Sequence, residues 1–479
     1  MPTPPVSKSP AFHPLVHEIT PSLSPAEVFD RLAALPHCIF FDSAQQDSKL
    51  GRFSYLAADP FKMLRVSGGN ESPFVQFENH LSDCPFERVP ELPAFQGGAA
   101  GLFGYDLGHS WERLPRTRYN EFGLPVLAVG FYDTVIAFDH AQDRSWIIAQ
   151  GWPERTPEKR ERRASERLQQ FRTLVESISV AAPERPNQQT VTIAGEHYPA
   201  TPIGRRETTA LRSNFSSDGF QEAVAAAIEY IHAGDLFQVN LAQRLLLPQS
   251  CDSIALYQRL RKENPAPFAG FFDLGDYQIV SASPERFLQV NEGRVETRPI
   301  KGTRRRMTGA EAELFNGSEL KQSVKDRAEN VMIVDLMRND LSRVCEPASV
   351  VVDQLCEVEN YQYVQHLVSA VTGELSAGKT VFDLITASFP GGSITGAPKV
   401  RAMEVISTLE PHARGAYCGS LGYLTPDGHL DLSILIRTIT AGGGWWQMPV
   451  GGGIVAQSDP TDEYAETWHK AEGLLRAVF

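Results

Sequence analysis

At 479 residues, 42% hydrophobic and 22% charged, the chain is long enough for one large domain or two to three ordinary ones, each with a sizeable core. A net charge of -13 removes the basic face that phosphate binding needs; nucleic acid is excluded as a partner, while small anions in a local basic pocket are not. Six scattered cysteines without a C-x-x-C pair, no apolar leader and no run of eighteen apolar residues predict a cytoplasmic protein with no membrane partner.

The opening MPTPPVSKSPAF is proline-rich and predicts a disordered start. From residue 26 to 150, short apolar runs such as Cys38-Ile39-Phe40-Phe41 alternate with Gly, Pro and Asp, the pattern of a β-rich region. Its glycine-dense segment GGAAGLFGYD, residues 97–106, lacks the strand, G-x-G-x-x-G, helix order of a dinucleotide site and predicts close backbone packing instead. Residues 154–177 predict a surface helix on the spacing of Leu168, Phe171, Leu174 and Val175, with the basic run 159–163 as a solvated face. Residues 181–214 have little periodicity and read as a linker.

A helix is expected from Asp218, capped by its side chain with Gln221 closing a capping box, lined by Phe220, Val224, Ile228 and Ile231, and ended by Gly234. Strands follow at 268–272, 277–282, 287–290 and 294–297. They lead into Thr297-Arg298-Pro299-Ile300-Lys301-Gly302-Thr303 and the arginines 304, 305 and 306. That stretch reads either as a solvated basic turn or as a reactive lysine. A lysine near its reference pKa of about 10.4 costs about 4–5 kcal/mol to neutralise at pH 7, a cost that crowded cations or desolvation reduce.

A helix over 323–341 is expected to bury Ala328, Val331, Met332, Val334 and Met337, and to place Asp326 and Glu329 on one face. The loop FPGGSITGAPK, residues 389–399, offers backbone N–H groups before a helix at 400–408; it reads as an anion cradle or as a plain loop. Strands at 419–424 and 432–440 turn through Pro426-Asp427-Gly428. Asp459-Pro460 opens a terminal helix carrying Glu463, Glu466 and Lys470 in one stripe, a pattern that also suits a solvated ion-pair ladder. Many short strands with helices between them, and no regular βαβ repeat, indicate an α+β fold.

Taken in order, Gln238 in GDLFQVNLAQR, Glu285 in SPERF, PIKGTRRR, Glu329 in KDRAENVMIVDLMRNDL, His366 in QHL, GGSITGAPK, Tyr417 in GAYCGSLGY, Arg437 in SILIRT, GGGIVAQSDP and the terminal E-x-x-E-x-x-x-K form one ordered set. This set resembles the chorismate-utilising enzymes, most closely the branch that aminates chorismate, almost without gaps over residues 217–479. The resemblance is looser before that, at GRFSYL (51–56), Tyr105-Asp106 and Phe131-Tyr132-Asp133.

The resemblance implies two interleaved α/β subdomains around a β-sandwich core, divided in sequence into an N-terminal subdomain (12–180), a linker (181–213) and a catalytic domain (214–479). It implies Mg²⁺ held by Glu329, Glu463 and Glu466, an ion that favours oxygen ligands and keeps several waters. Tyr417, Arg437 and the amides of Gly452 and Gly453 would take the enolpyruvyl carboxylate, Arg by its planar fork, with Thr395, His366 and Lys470 lining the same pocket. Glu285 falls on the family's general acid. Gln238 stands where isochorismate and salicylate synthases carry a water-activating lysine, and Lys301 where anthranilate synthases carry alanine. The implied activity converts chorismate and ammonia, supplied by a glutamine amidotransferase subunit, to 4-amino-4-deoxychorismate through a covalent Lys301 intermediate, toward 4-aminobenzoate and folate. Anthranilate synthesis and a non-catalytic regulatory role are the alternatives. Related anthranilate synthases also bind tryptophan near their first strands, the region of Asp42-Ser43 and Arg52-Phe53-Ser54 here.

Overall fold

Alternating and fully apolar strands dominate the chain, and in the computed structural model they assemble into two large antiparallel sheets. The structure describes residues 12–45, 50–68, 72–177, 190–199, 210–305, 318–360 and 364–479. The expected disordered start at 1–11, much of the expected linker and Arg306 lie outside the described residues.

The first sheet runs from Leu15–Glu18 through Arg144–Ala149, Thr134–Asp139, Phe53–Ala57, Ile39–Asp42, Phe268–Asp273, Tyr277–Ser283, Thr438–Gly442 and Trp445–Ile454 to Gln238–Pro248 and Gly396–Ala397. In the second, Ile300–Arg305, Val364–Glu374, Arg294–Thr297, Arg286–Asn291, Leu430–Ile434, Ser420–Leu424, Gly98–Phe103, Leu127–Tyr132 and Lys62–Val66 lie side by side, with Val351–Asn360 on the outer flank of Val364–Glu374. Each sheet takes strands from both sides of residues 181–213, so neither half closes a sheet alone. Between the sheets lies a core of Ile39, Tyr55, Phe95, Leu102, Tyr132, Ile279, Leu421 and Tyr423. Helices cover the outer faces: Phe29, Tyr257, Phe171 and Leu474 pack on the first sheet, and Phe77, Met337, Leu341 and Ile385 on the second. The arrangement is α+β, a two-sheet sandwich flanked by helices.

The glycine-dense segment forms the strand Gly98–Phe103, buried throughout between Ser420–Leu424 and Leu127–Tyr132. A Cβ on Gly101 would stand 2.1 Å from the Ala128 carbonyl oxygen, which accounts for the glycine. The four strands expected between residues 268 and 297 are all present, Arg294–Thr297 with the expected bounds.

Four local expectations change. The helix Ser217–His232 is capped by Ser216, whose hydroxyl accepts from Gly219 N at 3.0 Å, while Gln221 bonds Ser217 and not a capping backbone; a serine one position ahead of the first turn outcompetes Asp218. In the helix Val324–Ser342, Ala328 and Val331 are exposed, and Asn330, Ile333, Val334, Met337 and Leu341 face the sheet. The basic run 159–163 is not simply a solvated face. Arg160 is buried, donating to Gln150 O and lying over Phe12, and Arg163 reaches Asp133 at 3.1 Å, because a fully buried carboxylate requires cationic partners. Finally, the single strand expected over 432–440 is two strands in different sheets, separated at Arg437, whose φ of 50° interrupts the extended chain.

The tight seat of Gly101 makes Gly101→Ala destabilising by about 1–3 kcal/mol, read as a lower urea midpoint at unchanged m-value.

Candidate active site

The Lys301 strand, Ile300–Arg305, pairs with Val364–Glu374 and carries a bulge between Lys301 and Thr303. Gly302 occupies it with a φ of 72°, and any Cβ there would meet Asp326 and Leu320 at 2.9 Å. Only glycine satisfies both the left-handed backbone and the close approach, and the bulge re-aims the preceding side chain. Lys301 is therefore half-buried in a strand and not in a solvated turn, with Nζ donating to the Ser393 carbonyl at 3.1 Å. Burial lowers its pKa, against the opposing fields of Glu329, Glu285 and Glu466, with Lys470 lowering it further. Arg298 and Arg304 are not among the groups that account for the shift. Arg298 is paired with Glu359 and Glu296, and Arg304 with Asp326 and Glu319.

Glu285 sits where the chain passes from Tyr277–Ser283 in the first sheet to Arg286–Asn291 in the second. The return passage, from Leu430–Ile434 to Thr438–Gly442, lies beside it. Ile434 N donates to Glu285 O at 3.0 Å and Ala282 N to Arg437 O at 3.1 Å. Two strand crossovers thus bring Glu285 and Arg437 to one place. The Glu285 carboxyl is 5% exposed, and burial raises its pKa to about 7, opposed by a hydrogen bond from Ser393 Oγ at 2.7 Å, by Lys301 and by a backbone bond from Ile300. No neighbouring carboxylate is among the causes that raise it. Arg286 turns to the opposite side, to Asp431 at 3.1 Å and Glu296 at 3.4 Å.

Arg437 is half-buried, and among the described residues its guanidinium has no hydrogen bond or ion pair; burial alone holds its pKa below the usual value. Close by, His366 is buried and neutral, its pKa lowered to about 3 by burial and by Arg437, with a hydrogen bond to the Gly302 backbone. Gln238 is buried against Gly453, where a Cβ would overlap its side-chain amide at 1.9 Å, and its Oε1 has no partner. A cation and a buried acceptor each left without a partner suit a ligand that brings both an anionic oxygen and a hydrogen-bond donor.

The strand Trp445–Ile454 keeps Thr438–Gly442 beside it only as far as Gln447; beyond, it pairs with Gln238–Pro248 on one side alone. The unpaired side runs past Gly452 and Gly453, and Lys470 Nζ donates there to Gly451 O at 2.9 Å. Lys470 also pairs with Glu466 at 2.6 Å, one rung of the expected ladder. Glu463 departs from a ladder: it is buried and accepts from Ser458 Oγ at 2.6 Å.

Burial raises the pKa of Glu329, and burial with the Glu466 charge raises that of Glu463. Burial also acts on Glu466, but Lys470, Lys325 and Lys301 hold it below the usual value. Among the described residues no three His, Cys, Asp or Glu side chains are gathered closely enough to hold an ion as they stand. The donors still fit a hard divalent cation. Glu463 and Glu466 converge over Gly452, where a Cβ would lie 3.2 Å and 3.4 Å from their oxygens, and the Glu329 and Glu466 charges reach one another. All are oxygen donors, and Mg²⁺ tolerates ligation through water.

Three groups escaped the sequence reading. Ser393 touches both Lys301 and Glu285. Arg414 and Glu410 form a buried pair at 2.6 Å, and Arg414 also donates to Asn240 O at 2.8 Å and Ile394 O at 3.1 Å while Glu410 accepts from Ala242 N at 2.9 Å. This clamp joins the Gln238 strand to the Ser393 loop. Its guanidinium lies 5.7 Å from the ring centroid of Tyr417, which is buried with a pKa well above the usual value because of that burial. The Thr395 hydroxyl is engaged with Gly391 O and Gly392 O, holding the loop. The i, i+4 spacing of Glu410 and Arg414 was the available signal.

A separate cavity of about 350 Å³ lies between the sheets beside Asp42, Ser43, Arg52 and Phe53, and Arg286 faces it. There Asp42 pairs with Arg261 at 2.8 Å, and Arg52 with Asp139 at 2.7 Å. Among the described residues no helix is long and apolar enough to cross a membrane.

A sequence profile described as chorismate binding enzyme matches residues 36–476. Aminodeoxychorismate synthase component 1 of Salmonella typhimurium is 40% identical over 93% of this chain and 93% of its own length. Anthranilate synthase component 1 of Thermus thermophilus is 42% identical over 82% of this chain and 80% of its own. The crystal structure of anthranilate synthase component I from Streptococcus pneumoniae superposes with a TM-score of 0.74 at 32% identity, covering 90% of this chain and 93% of that one.

Two stability measurements follow from the site. Removing Glu410 leaves Arg414 buried without a counter-charge, so Glu410→Ala loses about 3–5 kcal/mol in urea unfolding. Glu285 has a raised folded pKa, so the folded state binds the extra proton between pH 4.5 and about 7. Its contribution is full below 4.5 and is lost as pH rises through 7, about 3 kcal/mol over that window. Unfolding free energies of wild type and Glu285→Gln, measured across this range, should diverge by that amount, the wild type weakening as pH rises.

Proposed function

Because the chain belongs to the chorismate-binding enzymes, we propose that it aminates chorismate at C4, forming 4-amino-4-deoxychorismate through a covalent bond to Lys301. The observation that carries this reading is the Lys301 amine, its pKa lowered by burial, joined through Ser393 to a carboxyl titrating near pH 7. The placement of glutamine at position 238 supports it, because an amide cannot serve as the base that would make water the nucleophile.

In the proposed first step the neutral Lys301 amine forms a bond to C2 of the ring, the two ring double bonds shift, and the C4–O bond breaks. Glu285 supplies the proton with which the hydroxyl departs as water. In the second step ammonia bonds at C4, the double bonds shift back, the C2–N bond breaks to return the neutral Lys301 amine, and one proton of the new C4 ammonium returns to Glu285. The sum is chorismate plus ammonia giving the 4-amino product plus water. Two displacements replace one difficult direct substitution.

Arg437 and the unpaired strand edge at Gly452 and Gly453 would take the enolpyruvyl carboxylate, the Arg fork bonding both oxygens, with Tyr417 and Thr395 shaping that end of the pocket. His366, neutral in this setting, would offer a hydrogen bond and not a charge. Glu329, Glu463 and Glu466 would hold Mg²⁺, which when bound supplies positive charge to the ring carboxylate, and Lys470 would steady Glu466. The ammonia would come from a glutamine amidotransferase subunit, as the name component 1 of the Salmonella relative suggests. The pathway reading is supply of 4-aminobenzoate for folate, in the cytoplasm.

Similarity to the Thermus anthranilate synthase favours a second reading, amination followed by loss of pyruvate to anthranilate. Lys301 speaks against it.

Incubating the purified chain with chorismate, Mg²⁺ and ammonium salt should yield the 4-amino product. Anthranilate would establish the second reading instead, isochorismate would mean that water outcompetes ammonia, and unchanged chorismate would indicate a non-catalytic role. With chorismate and no ammonia, intact-protein mass should reveal an adduct absent from Lys301→Ala; an adduct that survives the substitution places the nucleophile elsewhere. Glu285→Gln should lower kcat about 10²–10⁴-fold, the usual worth of a positioned acid.

A further inference from the structure

One residue touches both reacting groups. Ser393 lies in the short 3-10 turn Gly392–Ile394 and is buried, its hydroxyl donating to Glu285 Oε1 at 2.7 Å and its carbonyl accepting from Lys301 Nζ at 3.1 Å. The turn beneath it is fixed from four directions. Gly392 abuts Leu336, where a Cβ would stand at 2.5 Å, and Gly391 abuts Ile434 and Phe287. Thr395 closes the turn onto Gly391 O at 3.0 Å, and Arg414 grips Ile394 O. At the far end of the loop, Lys399 is tied to the buried Asp340 at 2.6 Å.

We propose that Ser393 is a positioning residue that holds the acid Glu285 and the nucleophile Lys301 in fixed register, its hydroxyl fixing one and its carbonyl the other. This rests on the amination reading. Two consequences follow from the hydrogen-bond directions. Oε1 of Glu285 is committed as an acceptor, which fixes the orientation of the carboxyl toward the reacting centre. One N–H of Lys301 is committed to the carbonyl, which constrains where its lone pair points once the amine is neutral. The two groups also need only one proton between them: a neutral amine with a carboxylic acid holds the same count as an ammonium with a carboxylate. Moving a proton from Lys301 to Glu285 makes both groups competent at once, with no exchange with solvent.

The groups facing Glu285 are Lys301, Ser393, Cys418 and the backbone of Ile300, while Arg286 faces the opposite side. A hydroxyl donated to a carboxylate favours its charged form, and an alanine removes that effect while leaving the backbone carbonyl to Lys301. In Ser393→Ala the limb of the kcat–pH profile that belongs to Glu285, near pH 7, should move up by roughly one unit, with lower kcat and little change in KM. Ser393→Thr, which keeps the hydroxyl, should restore both limb and rate. Ser393→Cys, near in volume and a weak donor, gives an intermediate shift and carries the test if the alanine variant folds poorly. An unmoved limb, or a loss confined to KM, overturns the proposal. Product identity in the wild type reports on the amination reading, whereas the limb shift reports on Ser393, so the two fail separately.

Discussion

The structure depends on burying a lysine and a glutamate in one site while leaving each able to change charge. Burial disfavours both charged forms, which lowers the Lys301 pKa and raises that of Glu285. Their mutual attraction opposes both shifts. Desolvation prevails for each group, so the difference between their proton affinities narrows. Such narrowing eases proton movement between an amine and a carboxyl, and it requires walls that keep water out.

Those walls come from the way the sheets exchange strands. The chain crosses from the first sheet to the second at Glu285 and back at Arg437, and the crossings are bonded to one another. Neither residue lies in a loop free to drift. Lys301 comes from a bulged strand in the second sheet, Gln238 and the glycines from paired strands in the first, and the carboxylates from two helices. The buried Arg414 and Glu410 pair binds the Gln238 strand to the Ser393 loop. That pair is costly to desolvate and costly to break, which suits a device that fixes geometry more than one that adds stability.

Much of this was legible in the sequence where the signal is local. Strand periods located the strands between residues 268 and 297, and glycine density at 97–106 marked close packing that the 2.1 Å contact at Gly101 explains. The E-x-x-E-x-x-x-K spacing placed Glu466 and Lys470 in contact. What remained hidden depends on distant partners. Arg160 and Arg163 look solvated until the burial of Asp133 is known. Arg437 sits in an apolar run that reads as continuous strand, and only the change of sheet demands its positive φ. Ser393 is one hydroxyl in a loop rich in small residues, and nothing in its neighbours signals a carboxyl 108 positions away in sequence. The four clustered arginines suggested a reason for a lowered lysine pKa; of these, Arg298 and Arg304 prove to be engaged in ion pairs.

The titration of Lys301 itself, followed by NMR of ¹³C-labelled lysine in the full chain, tests most directly whether burial makes this amine reactive. A midpoint clearly below that of free lysine is expected, and it should stay in place in Arg298→Gln, since that guanidinium is neutralised by Glu359. An ordinary lysine midpoint, or one that rises when Arg298 is removed, would contradict burial as the cause.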